Sequence, residues 1–177
     1  MYLLEEDTKE AAHHVQLLGS GTILREVREA AKILRDEFNI GSDVWSVTSF
    51  NELRREGLAV ERKNRLHPGQ KPQQTYVEQC LSGRKGPVVA STDYMKLYAE
   101  QIRQWVPVKE YKVLGTDGFG RSDSRKKLRH FFEVDRYWVV LAALEALIDR
   151  GELEAKVLAD AIAKFGIDPE KANPLDC

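Results

Sequence analysis

Apolar residues along this chain switch repeatedly between short strand-like runs and helical spacing. His14–Gly21 (HVQLLGSG) is an apolar run closed by Gly-Ser-Gly, which predicts a buried strand and a turn. Ile23, Leu24, Val27, Ala30, Ala31, Leu34 and Phe38 then recur at helical spacing, with Thr22 placed to cap the helix. Asn39 and Gly41, in NIG, end that helix with residues that tolerate left-handed geometry. Ser42–Ser49 (SDVWSVTS) has the β-branched and aromatic content of a second strand. Strand, helix and strand in this order predict a βαβ unit with parallel strands.

The pattern repeats further on. Gly86–Asp93 (GPVVASTD) reads as a third strand, and Tyr94, Tyr98, Ile102 and Trp105 as one face of a helix stopped at Val106-Pro107. Glu110–Asp117 (EYKVLGTD) reads as a fourth strand. The remainder is helical: a basic turn at Arg125–His130, an apolar helix at Asp135–Asp149 and an amphipathic one at Glu152–Phe165. Gly151 and Gly166 stand at C-cap positions. Strands alternating with helices predict an α/β fold, a three-layer αβα sandwich around a mostly parallel sheet. Residues 1–14 read as a polar lead-in of the kind that links domains, and 15–177 as one domain.

Two stretches resist this pattern. Leu53–Pro72 (LRREGLAVERKNRLHPGQKP) is long and charged for a surface connection, and reads as a limb lying on another surface, a short helix at most at its start. Tyr137–Ile148 (YWVVLAALEALI) is apolar nearly all round, so it is wrapped by the tail or meets a partner. Self-association through the Trp138 helix is one expectation that follows.

Composition narrows the function classes. The 177 residues carry 27 Lys plus Arg against 28 Asp plus Glu, a net charge of -1, so no overall field draws nucleic acid or an anionic membrane. The apolar run is too short to span a bilayer and is interrupted by Glu145. The acidic opening MYLLEEDTKEAAHH is no secretory signal, and it reads as the edge of an excised piece. Cys80 and Cys177 form no disulfide framework or metal spacing, which fits a cytoplasmic protein, with Cys177 expected to be a free, exposed thiol.

The candidate chemistry concentrates in one loop. Gly115, Asp117, Gly118, Phe119, Gly120, Arg121, Ser122, Ser124 and Arg125 form a glycine-rich, basic segment ahead of a helix. In one reading the glycines supply turns and Ser122 or Ser124 caps the helix; in the other, backbone N–H groups with Arg121 and Arg125 hold a small anion or regulatory ligand. The first reading, cap and interface, is preferred. Arg125, Lys126, Lys127 and Arg129 oppose the helix dipole, so this basic run seeks a negative partner. Gly19-Ser20-Gly21 lacks the third glycine of a dinucleotide cradle and is read as a structural turn. Ser122, Asp123 and His130 lack the strand–turn–helix setting of a nucleophile. His13 and His14 read as solvated, and His67 as fixing a loop. Glu26, Glu29, Asp36 and Glu37 read as a solvated helix face. No complete catalytic or metal-binding set emerges from these residues.

The segments VQLLGSGTILREVREAAKIL, SDVWSVTSFNELRREG, RLHPGQKP, VVASTDYMKLYAEQIRQWVP, VLGTDGFGRSDSRKKLRHFFEVD and VLADAIAKFGID carry a resemblance. Together, from about Val15 to Asn173, they resemble the C-terminal part of bacterial homodimeric pyruvate dehydrogenase, in the transketolase superfamily. Lys126-Lys127 departs from the more acidic or polar pair expected there. The resemblance implies a five-stranded, mostly parallel sheet with one antiparallel strand, the last of three domains in a longer chain. It implies thiamine diphosphate and Mg²⁺ between the other two domains, and neither cofactor in this stretch. It further implies a second subunit as partner, together with the acetyltransferase and dihydrolipoyl dehydrogenase components of the complex.

Overall fold

A computed structural model describes residues 1–176; the expectation for Cys177 lies outside the described residues. Among the described residues five strands form one sheet in the order β1-β3-β2-β4-β5. β2 (His13–Gly19), β3 (Ile40–Ser46), β4 (Val88–Ser91) and β5 (Tyr111–Leu114) run parallel, and β1 (Tyr2–Glu5) pairs antiparallel with β3. This is the mostly parallel sheet that the alternation of elements predicts. The fifth strand lies within the polar lead-in, where alternating half-exposed residues hide it from a hydrophobicity reading. It closes the edge of β3, all of whose residues are buried.

Helices cover both faces. α1 (Leu24–Phe38), α6 (Arg136–Asp149) and α7 (Ala155–Phe165) pack on one face around Val15, Leu17, Val44 and Val89. α2 (Phe50–Leu66), α3 (Tyr76–Leu81) and α4 (Lys96–Glu100) cover the other, around Leu18, Trp45, Val88 and Ala90. Alternation along each strand sends successive side chains to opposite layers, which is why Leu17 and Leu18 lie in different cores. α5 (Arg125–Phe131) joins the sheet's C-terminal edge to α6.

Several local expectations change. The charged limb is α2, a 17-residue helix capped by Ser49, whose hydroxyl accepts from the Glu52 N–H at 3.2 Å. Its apolar stripe is narrow: Phe50, Leu53 and Gly57 alone are buried. A Cβ on Gly57 would stand 2.6 Å from the Trp105 ring, so this glycine seats an indole and is no loop signal. α3 follows a capping box, with Thr75 and Glu78 satisfying each other's backbone N–H groups. Thr22 does not cap α1, since its hydroxyl donates to Asp93 Oδ2 at 3.2 Å. The predicted Tyr94–Trp105 helix is split into α4 and a 3-10 turn at Arg103–Trp105, leaving Tyr94 exposed and burying Ile102 and Trp105. Asn39 (φ 53°) and Gly166 (φ 64°) take the left-handed geometry expected at the ends of α1 and α7.

α6 resolves the alternative left open for the apolar helix. The sheet, α1 and α7 wrap it, and Val139, Val140, Ala143, Leu144 and Leu147 are buried within this chain. Its apolar character therefore answers to intramolecular burial, which removes the reason for expecting self-association through it.

Candidate functional site

The chain leaves β2 toward β3 on one side and returns to β4 on the other, so its crossovers diverge between β2 and β4. In open α/β sheets such a divergence opens a crevice at the carboxyl ends of the strands. Here it is a cavity of about 410 Å³, bounded by Thr22 and Ile23 after β2, Asp93 after β4, and Arg121, Arg125 and Phe132 from the β5–α6 segment. Gly21, at φ 57°, brings its backbone so close to Asp93 that a Cβ would stand 2.8 Å from Oδ1. A carboxylate thus lies against the Gly21 backbone, and its charge disfavours a phosphate at the Gly19–Gly21 turn.

The 115–124 loop divides into scaffold and wall. A Cβ on Gly115 would lie 2.7 Å from both the Lys96 nitrogen and the Tyr94 oxygen, so only glycine lets these backbones meet. Thr116 donates its N–H to the Tyr94 carbonyl at 2.9 Å, and Asp117 Oδ1 accepts from the Lys96 N–H at 3.1 Å. Gly118, at φ 100°, abuts the Pro174 carbonyl. Ser124 caps α5 by accepting from the Lys127 N–H at 3.4 Å, while Asp123 Oδ1 accepts from the Ser124 N–H. Arg121 lies over the Phe131 ring at 4.4 Å and, with Gly118, Gly120 and Arg125, borders the cavity. Phe119 and Ser122 point to solvent, Phe119 at 78% exposure.

Within the basic run Lys127 has Asp123 at 3.8 Å, and Arg129 has its negative partner in Glu26, which belongs to no solvated face. It is 5% exposed and accepts from Arg129 Nη1 at 2.7 Å, Arg136 Nε at 2.9 Å and the Arg136 N–H at 3.2 Å. Burial raises its pKa, but the hydrogen bond and charge of Arg136, with the charge of Arg129, outweigh that and hold the carboxyl below its ordinary range. A carboxylate so pinned is a structural anchor and a poor proton acceptor. The missed signal was positional: Glu26 lies at i+3 from Ile23 and i−4 from Ala30, on the buried stripe.

Comparison with known proteins places this geometry. Residues 1–135 match the Transketolase-like TK C-terminal domain family. The chain belongs to that family. This transketolase-like domain is 85% identical, over all 177 residues, to the C-terminal part of the pyruvate dehydrogenase E1 component of Pseudomonas aeruginosa, spanning 20% of that protein. It is 62% identical over 160 residues to the pyruvate dehydrogenase E1 component of Escherichia coli K12, covering 90% of this chain and 18% of that one. The chain therefore spans about one fifth of the length of these curated relatives. A solved transketolase from Campylobacter jejuni aligns with 24% identity and a TM-score of 0.49, over 78% of this chain and 17% of that one.

The histidines of the transketolase-like domain serve its framework. His130 Nδ1 lies 3.1 Å from Asp135 Oδ2 and its ring packs on Trp138, so Ser122, Asp123 and His130 form no relay. Asp135 in turn caps α6 by accepting from the Tyr137 and Trp138 N–H groups. His13 and His14 are half-buried and paired, with Glu152 at 3.2 Å and Asp43 at 3.1 Å, where the sequence reading left them in solvent. His67, read from the sequence as fixing a loop, instead caps the end of α2 with its ring 2.8 Å from the Lys63 carbonyl. Among the described residues no three His, Cys, Asp or Glu side chains converge on a metal position, and no helix is long and apolar enough to cross a membrane.

Proposed function

We propose that this chain is the C-terminal scaffold domain of a homodimeric, thiamine-diphosphate-dependent pyruvate dehydrogenase of the cytoplasm. The full-length enzyme decarboxylates pyruvate and transfers the acetyl group to the lipoyl group of the acetyltransferase component, with dihydrolipoyl dehydrogenase as the third partner. The observation that carries this reading is the 85% identity, over the whole chain, to one fifth of a pyruvate dehydrogenase E1 component. The domain's part is to hold its neighbours and the second subunit in place.

On this reading thiamine diphosphate and Mg²⁺ are held by other parts of the full-length enzyme. Mg²⁺ needs several oxygen ligands around one point; among the described residues no three acidic side chains converge, and the buried Glu26 and Asp43 are engaged with two arginines and with Gln16 and His14. No chemical step is therefore assigned to this domain. The reading is tested by replacing the C-terminal fifth of the Pseudomonas aeruginosa relative with this chain. Pyruvate-dependent acetylation of the lipoyl carrier should survive the exchange, while the 177-residue chain with pyruvate, thiamine diphosphate and Mg²⁺ should release no CO₂. A folded but inactive chimera, or turnover by the chain alone, would sink it.

A further inference from the structure

We propose that the crevice between the carboxyl ends of β2 and β4 binds a small organic anion with an apolar body, its charged group on Arg121 and Arg125. The inference stands on this chain's own geometry and does not depend on the parent enzyme. The cavity, about 410 Å³, lies in the size range of small-molecule sites and at the position where the crossovers part.

The walls differ in chemistry, and the difference specifies the ligand. Arg129 is matched to Glu26, so its charge is neutralised within the fold. Arg125 makes no ion pair among the described residues, and Arg121 has only the Phe131 ring beneath it. The contact with the ring face, at 4.4 Å from the centroid, leaves the Arg121 N–H groups available for a carboxylate or phosphate. The floor is apolar, with Ile23 and Val134 fully buried and Phe132 half-buried. Across it, Asp93 is steadied by Thr22 and repels a second anionic group, but accepts from a hydroxyl or amine. A diphosphate lying along the glycine turn is thereby disfavoured. A single anionic head, carboxylate or phosphate, with a ring or branched body matches the arginines and the apolar floor, and a donor at the far end adds a contact to Asp93.

A further polar group lies at the same end of β4. Ser91 is fully buried, and its hydroxyl has no hydrogen-bond partner among the described residues. Val88 and Ala90 face the α2 layer, so alternation turns Ser91 with Val89 toward the α1–α6 layer, which contributes Ile23 and Val134 to the crevice. Ser91 does not line the cavity itself and stands behind its floor.

The test is an amide-resolved NMR titration of the 177-residue chain with phenyl phosphate, inorganic phosphate and benzyl alcohol. Phenyl phosphate should saturate, shifting amides at Gly21–Ile23, Thr92–Asp93 and Gly120–Arg129, and should bind more tightly than either fragment. Arg125→Ala, at an exposed position, should weaken it about tenfold, the loss expected for one charge-assisted bond, whereas Lys126→Ala should not. Failure to saturate, shifts centred elsewhere, equal binding by inorganic phosphate, or indifference to Arg125→Ala each overturn the proposal.

Discussion

Replacing Glu26 by glutamine probes the anchor that ties α1 to the α5–α6 junction. The substitution keeps size and one carbonyl oxygen but removes the charge that two guanidiniums share. Breaking a fully buried ion pair costs about 3–5 kcal/mol. The Arg129 and Arg136 side chains are 20% and 37% exposed, so both regain some water and the loss must be discounted. Two charge-assisted bonds weakened to neutral ones, each by about 1 kcal/mol, give a loss of about 2 kcal/mol. For a chain of this length that lowers the melting temperature by about 4–8 °C. Thermal and urea unfolding at neutral pH, followed by circular dichroism, measures it, with the exposed Asp36→Asn as a control staying within about 0.5 kcal/mol. A drop of less than about 1 °C in E26Q would refute the reasoning, because the arginines would then be satisfied without their carboxylate.

The remaining predictions address acid stability, close backbone approaches and a buried polar network. Glu26, Asp7, Glu29 and Glu152 all have folded pKa values below their ordinary ones, so the unfolded chain takes up protons first. Their stabilisation is complete above the ordinary carboxyl values of 3.8 and 4.5 and is lost as pH falls through the folded values; urea midpoints should be flat down to about pH 5 and then fall, less steeply in E26Q. Gly83 and Gly86 have similar φ angles of 82° and 86°, but a Cβ meets nothing at the first and lies 1.7 Å from the His14 carbonyl oxygen at the second. Gly83→Ala should therefore cost about 1 kcal/mol of backbone strain, and Gly86→Ala more than about 3 kcal/mol, in parallel urea melts. Equal losses would show that strain alone matters. Gln16, 1% exposed, accepts from Trp45 Nε1 at 2.8 Å and donates to Asp43 at 2.9 Å. Gln16→Leu leaves the Trp45 N–H without an acceptor and takes one donor from Asp43, which keeps His14 and Arg84, and should cost about 1–3 kcal/mol, against a near-neutral result if the network were dispensable.

Much of the architecture could be read along the chain. The parallel strands and helices α1, α6 and α7 announce themselves by apolar runs, helical spacing and left-handed stops, all of which are local. α2 was hidden because its buried stripe is thin, and because Gly57 serves a tryptophan more than forty residues away. α3 carried its signal openly in Thr75-Tyr76-Val77-Glu78, a capping box the periodicity reading passed over. Within the loop, the glycines and the Ser124 cap were legible as turn chemistry. Asp93 was not legible as the group that lies against the Gly19–Gly21 turn, because its approach requires β2 and β4 to be neighbours.

Amino-acid order by itself determined the periods, the stops and the α/β class, since each follows from residues within a few positions of one another. Tertiary structure alone decided that Tyr2–Glu5 is a strand, that Glu26 is an anchor and that a crevice opens between β2 and β4. Glu26 meets Arg129 and Arg136 across 103 and 110 residues of chain. Helical spacing can place a carboxylate on a buried face, but only the packed layers bring to it the charges that let it remain ionised there.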